Sequence, residues 1–93
     1  MEYRESYTTE LKEIINADFK KEIIAFANAD GGEIYVGVTK QGAVIGIDDA
    51  EYEMERIINM IRDGIKPDLT SCTAISTIQD GDFTIIKVIV SRG

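Results

Sequence analysis

The 93-residue chain carries 17 acidic and 10 basic side chains, a formal net charge of −7, so a polyanion is repelled at long range. Any nucleic-acid contact then rests on a local basic patch or on other parts of a longer protein. Histidine is absent and cysteine occurs once, as Cys72, which rules out Ser-His and Cys-His pairs and an internal disulfide.

The rest of the composition is that of one ordinary globular domain, with 44% hydrophobic and 29% charged residues. No apolar run reaches the roughly 18 residues of a membrane span, and Met-Glu-Tyr-Arg-Glu lacks the apolar core of a signal peptide. With no membrane segment and one thiol, the expected compartment is the cytoplasm.

Residues 7–15 are rich in β-formers and read as extended. Asn16 and Asp18 are helix-capping types, and Phe19, Ile23, Phe26 and Ala27 then recur at helical spacing. A helix over 18–29 follows, ended by Gly31 or Gly32. Ile34, Val36 and Val38 alternate with Glu33, Tyr35, Gly37 and Thr39, the pattern of a strand with one buried face. Lys40-Gln41-Gly42 reads as a tight turn and 43–47 as the return strand.

Asp48 and Glu51 have the spacing of a capping box. Met54, Ile57, Ile58, Ile61 and Ile65 form the apolar stripe of a second helix, closed by Gly64 and Pro67. Thr70 to Ile78 is β-branched, 79–82 is a hairpin turn, and 83–90 is the last strand.

The order is β-α-β-β-α-β-β: an α+β fold in which two helices cover one face of a mixed sheet. Phe19, Ile23, Phe26, Ile57, Ile58 and Ile61 are the expected helix contribution to the core. Both faces of the last strand are apolar, so its second face, with Ile85 or Ile86 and Ile89 or Val90, should be adhesive. A homodimer is one remedy, and residues 1–93 read as a single domain excised from a longer protein.

Residues 28–32, Asn-Ala-Asp-Gly-Gly, hold more turn formers than a helix-to-strand join requires. In the plainer reading, Asn28 and Asp30 cap the helix while Gly31 and Gly32 supply positive φ and close packing. In the other, the glycines let a backbone phosphate approach main-chain amides. The two are compatible.

Glu5-Ser6, Glu10-Leu11-Lys12, "AFANADGG", "IYVGV" and "GAVIGI" together resemble the Alba-like domain of Schlafen proteins and of bacterial transcriptional regulators. The usual pattern is E-S-x-x-x-E-F-K, a helix ending A-F-A-N-x-x-G-G, a G-V strand, a polar turn and a second strand ending in glycine. The resemblance spans about residues 5–90. It implies an Alba-like fold and a regulatory, nucleic-acid-associated role, with DNA expected before RNA and no cofactor.

In the nuclease members of that family, glutamates matching Glu5 and Glu10 join an aspartate after the G-V strand to hold a divalent metal for RNA cleavage. Hard oxygen ligands suit magnesium or manganese, which polarise a phosphate and activate water. Here Thr39-Lys40 occupies the aspartate's place, so Glu5 and Glu10 read either as vestigial ligands or as solvated strand glutamates, and no cleavage is expected. Lys12, Lys20, Lys21 and Lys40 could form a basic edge near the glycine turn, with Tyr35 as a stacking ring, or simply a solvated face. Two further readings stay open: a metal-dependent nuclease-type domain, and a dimerisation or ligand-sensing domain without nucleic-acid contact.

Overall fold

Apolar alternation and helical periodicity are realised as a four-stranded sheet with two helices on one face. In a computed structural model, which describes residues 2–64 and 70–92, the elements are β1 (Thr9–Lys12), α1 (Phe19–Asn28), β2 (Gly32–Val36), α2 (Ala50–Gly64), β3 (Thr73–Asp80) and β4 (Phe83–Val90). A single 3-10 turn, Thr70–Cys72, leads into β3. The spatial order is β1-β2-β4-β3, with β1 parallel to β2 and the other pairs antiparallel. The parallel pair needs a crossover, which α1 provides.

Alternation divides the apolar residues between two layers. On the helix face, Phe19, Ile23 and Ala27 of α1 and Ile57 and Ile61 of α2 pack against Ile34, Val36, Ile86, Val88 and Val90. Each large side chain buried there contributes roughly 1.5–3 kcal/mol before chain entropy is subtracted. On the opposite face, Tyr3, Leu11, Tyr35, Val38 and Ile85 form a smaller cluster, flanked by Val44 and Ile78.

Five of the six helix residues expected in the core reach it, Phe26 only in part. Ile58 does not: it is 41% exposed. One residue is 100° of helix, so with Ile57 and Ile61 turned inward Ile58 points to the rim, beside Thr73 and Ile75. The bare second face expected of β4 is largely covered too. Ile85, Ile86 and Val90 are buried, and Ile89, at 39%, is the one residue of the expected patch left exposed. Tyr3 and Val38 cover the far side of Ile85.

Several boundaries differ from expectation for local reasons. Residues 7–15 contribute only a four-residue strand, since Ser6 and Thr9 exchange backbone hydrogen bonds and the Ser6 hydroxyl accepts from the Thr8 amide. The return strand over 43–47 is reduced to one bridge, Val38 to Val44. There the Ile45 and Gly46 amides both converge on the Gly37 carbonyl, at 2.8 and 3.0 Å, and Gly37 and Gly46 have φ of 102° and 79°. Two left-handed glycines break the ladder. The order is therefore β-α-β-α-β-β.

Asp18 takes the N-cap position of α1, but the capping bonds differ in detail from the expectation. The Asp18 side chain makes no capping bond; the Asn16 carboxamide instead accepts the Asp18 amide at 3.0 Å, an Asx turn that starts α1. At α2 the cap is Asp49, whose carboxylate accepts the Tyr52 amide at 3.1 Å, one residue later than the Asp48 reading. Ile65, the last residue of the expected stripe, and Pro67, expected with Gly64 to close that helix, lie outside the described residues.

Candidate functional site

The edge of the sheet at β1 gathers most of the charged residues singled out in the sequence. Glu10 and Lys12 lie opposite Ile34 and Val36 in the parallel register, which puts them on the helix face. That face is incompletely roofed at an edge strand, so long polar side chains reach solvent beside α1.

Lys12 Nζ lies 2.5 Å from Glu22 Oε1 of α1 and 3.9 Å from Glu10 Oε1. Lys40, brought in by the turn around Gly42, donates to Glu10 Oε1 at 2.5 Å and to Glu5 Oε2 at 2.8 Å. Glu5 Oε2 also accepts the Leu11 amide at 3.3 Å, on the outer edge of β1. Three carboxylates and two ammonium groups thus alternate from Glu5 to Glu22. Their charges nearly cancel.

The electrostatics follow the contacts. The hydrogen bond from Lys40 lowers the pKa of Glu5 below its ordinary 4.5, against burial and with help from the Leu11 amide. Burial pulls the pKa of Lys40 down, but its hydrogen bonds to Glu10 and Glu5 outweigh this and hold the group above 10.5. Lys12, 14% exposed, is the more enclosed cation; Lys40, at 50%, borders water.

Glu22 is the member that sequence reasoning missed. Its signal was present: Glu22 falls on the α1 stripe between Phe19 and Ile23, where an acid must find a cation or stay near the rim. Its Oε1 is paired with Lys12, and its buried Oε2 has no hydrogen-bond partner.

The metal implied by the Schlafen resemblance does not fit this set. The Lys40 ammonium itself bridges the two glutamates that would ligate a cation. No group of three or more His, Cys, Asp or Glu among the described residues could hold a metal ion.

The remaining candidates are dispersed. Lys20 and Lys21 lie on α1, Lys21 being exposed with its ammonium 3.8 Å from Asp18. Tyr35 is on the opposite face of the sheet, buried, with the Tyr3 ring edge-on at 5.1 Å and Lys87 Nζ 5.6 Å from its centroid. Its hydroxyl donates to Glu33 Oε2 at 2.9 Å. That ring is enclosed, not displayed for stacking.

At the glycine turn, Asn28 is the exposed last residue of α1. The Gly31 amide donates to the Phe26 carbonyl at 2.9 Å, closing the helix in the manner of a Schellman ending. Gly31 has φ of 87°, and a Cβ there would lie 2.5 Å from the Val90 carbonyl oxygen. One on Gly32 would lie 2.4 Å from the Phe26 ring. Packing therefore accounts for both glycines. The shallow groove beside them is bordered by Asp30 and Glu33, which add negative charge.

Residues 2–93, all but the first, match the model of the family described as Schlafen, AlbA_2. The chain belongs to the Schlafen AlbA_2 family. Among solved structures it is similar to the N-terminal domain of a Nitrosomonas europaea protein described as related to the ATP-dependent DNA helicase RecG. The TM-score is 0.78 at 22% identity, over 96% of this chain and 65% of that one. At that identity the likeness establishes the shared fold, and the chain spans about two thirds of that structure's length. No match was found among curated proteins. Among the described residues, no helix is long and apolar enough to cross a membrane.

Proposed function

We propose that this chain is a non-catalytic, nucleic-acid-associated module of a bacterial transcriptional regulator acting in the cytoplasm. The observation that carries the reading is Lys40, whose ammonium sits between Glu5 and Glu10, where catalysis in the family needs a divalent cation. Membership of the Schlafen AlbA_2 family supports the nucleic-acid association. DNA is the expected polymer, in keeping with the helicase-related description of the Nitrosomonas europaea protein.

Affinity is modest on this reading, because the ammonium groups of Lys12 and Lys40 are already held by carboxylates and the net charge is −7. Lys20 and Lys21 on α1 are the least encumbered candidates. A titration of duplex DNA and single-stranded RNA across a range of salt tests the proposal. Weak binding, with a log-log salt slope of roughly −2 from Lys20 and Lys21 and a preference for DNA, is the expected result. Absence of binding to either polymer at low salt would overturn it.

The same ion pairs favour a second reading, a dimerisation or ligand-sensing domain that makes no nucleic-acid contact. Ile89 would sit at the centre of such a dimer. Concentration-dependent sedimentation that is abolished by Ile89→Lys, with no binding in the titration, would select it.

A further inference from the structure

A groove of about 550 Å³ lies where the β1–α1 connection, the stretch from Ile45 to Asp49 and the first turns of α2 meet. It lies away from the glycine turn, and its Glu13 and Ile14 also border the smaller recess lined by Lys12 and Lys40. Its apolar part is conspicuous for its exposure: Ile14 is 64% and Ile45 is 45% accessible, although their near neighbours Ile15 and Ile47 pack against the helix-face core. Two large aliphatic side chains on one concavity are more than the scattered single exposures normal on a surface.

The rim is acidic. Glu13, Asp48, Asp49 and Glu53 line it, against one cation, Arg56. That cation is committed: its guanidinium donates to both oxygens of Glu53, at 3.1 and 2.9 Å, and reaches the Ile15 carbonyl at 3.5 Å. Asp49 is occupied in capping α2. Glu13 and Asp48 are exposed and have neither an ion pair nor a hydrogen bond among the described residues. The groove thus joins an uncovered aliphatic floor to two unpaired carboxylates.

We infer that this groove docks a cationic amphipathic segment of a partner protein, with lysine or arginine on either side of a large aliphatic residue. The aliphatic residue covers Ile14 and Ile45, and the cations meet Glu13 and Asp48. Charge complementarity selects this occupant. A nucleic acid is repelled by the rim, and a second copy of the chain brings a further net charge of −7 to an already acidic face. The small area implies a weak, transient and salt-sensitive contact.

The test uses a short peptide of alternating lysine and leucine, titrated into the isotopically labelled chain and followed by amide shifts. Shifts confined to residues 13–15, 45–49 and the start of α2 are expected. The paired substitution Glu13→Gln with Asp48→Asn should weaken binding about fivefold, at the usual worth of two exposed charge pairs. Ile45→Ser should weaken it comparably. Glu51→Gln with Glu55→Gln removes the same charge from an opposite stripe of α2 and should change it less than about twofold.

Equal weakening by both charge pairs would mean that net charge alone attracts the peptide, and would overturn the site. So would shifts centred elsewhere, equal binding of a glutamate-leucine peptide, or self-association of the chain through these same amides. Should Ile45→Ser unfold, the contrast between the two charge pairs decides alone.

Discussion

The Lys40 ammonium donates to Glu10 Oε1 across 2.5 Å, tying the turn that precedes Gly42 to the parallel edge of the sheet. The same nitrogen holds Glu5, so one exposed cation joins the turn to the N-terminal approach and to β1, 35 and 30 positions earlier in the sequence. Chemistry and architecture meet at that contact. Where the Schlafen nucleases would place a metal between carboxylates, this chain supplies a covalently tethered cation.

Replacing that cation tests its electrostatic role. In Lys40→Met the Glu5 carboxyl should titrate higher, its main hydrogen-bond donor being gone. Because the folded pKa of Glu5 is depressed, the contact stabilises above the ordinary carboxylate value and is lost as pH falls through the folded one. Lys40, with its pKa raised, stabilises below 10.5, and this is lost as pH rises through its folded value. Between those limits the variant should be less stable by ~0.5–1 kcal/mol, as befits half-exposed pairs, and equal to the parent in acid. NMR titration of Glu5 and denaturant melts at neutral and acid pH read both. An unchanged Glu5 titration would refute the assignment.

The glycine turn makes a second, graded prediction. Gly31→Ala forces a side chain into positive φ and against the rigid Val90 carbonyl, and should cost more than ~2 kcal/mol. Gly32→Ala has the Phe26 ring as its nearest neighbour and no positive φ, so it should cost less and be partly relieved by Phe26→Leu. Gly81 shares positive φ, at 62°, but an added Cβ would meet nothing within 4 Å, so Gly81→Ala should cost ~1 kcal/mol. Chemical denaturation gives the order. If Gly31→Ala is the mildest of the three, packing is not why these glycines are there.

What could be read from sequence was whatever periodicity and turn chemistry determine. The two helices and most of their core residues follow from apolar spacing, and the Gly31-Gly32 ending and the last hairpin from turn residues. What could not be read depended on contacts between distant segments. Residues 43–47 alternate like a strand, yet Gly37 and Gly46 adopt positive φ against each other, Gly46 C lying 3.1 Å from a Cβ placed on Gly37. The second face of β4 looked bare because the residues that cover it, Tyr3 and Val38, are no nearer than 47 positions to Ile85. The Lys12–Glu22 pair joins a strand to a helix, so no single periodicity governs its spacing.

Tyr35 gives the chain an alkaline signature. Burial first, and then its hydrogen bond to Glu33, push its pKa up to about 12. A raised pKa in an acid that is neutral when protonated favours the folded state below the ordinary value of 10.0, and that advantage is lost between there and 12. The loss should approach ~2–3 kcal/mol, at 1.36 kcal/mol per unit. Burial and Asp80 raise Tyr3 as well, so tyrosinate absorbance should show late-titrating groups of which one disappears in Tyr35→Phe, and the loss of stability across that window should shrink in the variant. A Tyr35 that ionises near 10 in the folded chain would contradict the enclosed hydroxyl.

The last expectation concerns cleavage. Two carboxylates, Glu5 and Glu10, face a lysine in the place of the third, so the chain should cut neither RNA nor DNA with magnesium or manganese. Lys40→Asp is the informative change. It removes the ammonium and sets a third carboxylate beside the other two, so without metal the variant should be less stable, with three like charges together. Manganese should then restore stability in the variant and leave the parent unaffected. Saturation at a hundredfold excess over the dissociation constant is worth ~2.7 kcal/mol. Thermal melts with and without manganese, beside a cleavage assay, separate binding from catalysis. Metal-dependent cleavage by the unaltered chain, lost on Glu10→Ala, would show that Lys40 does not silence the site, and the non-catalytic reading would fall with it.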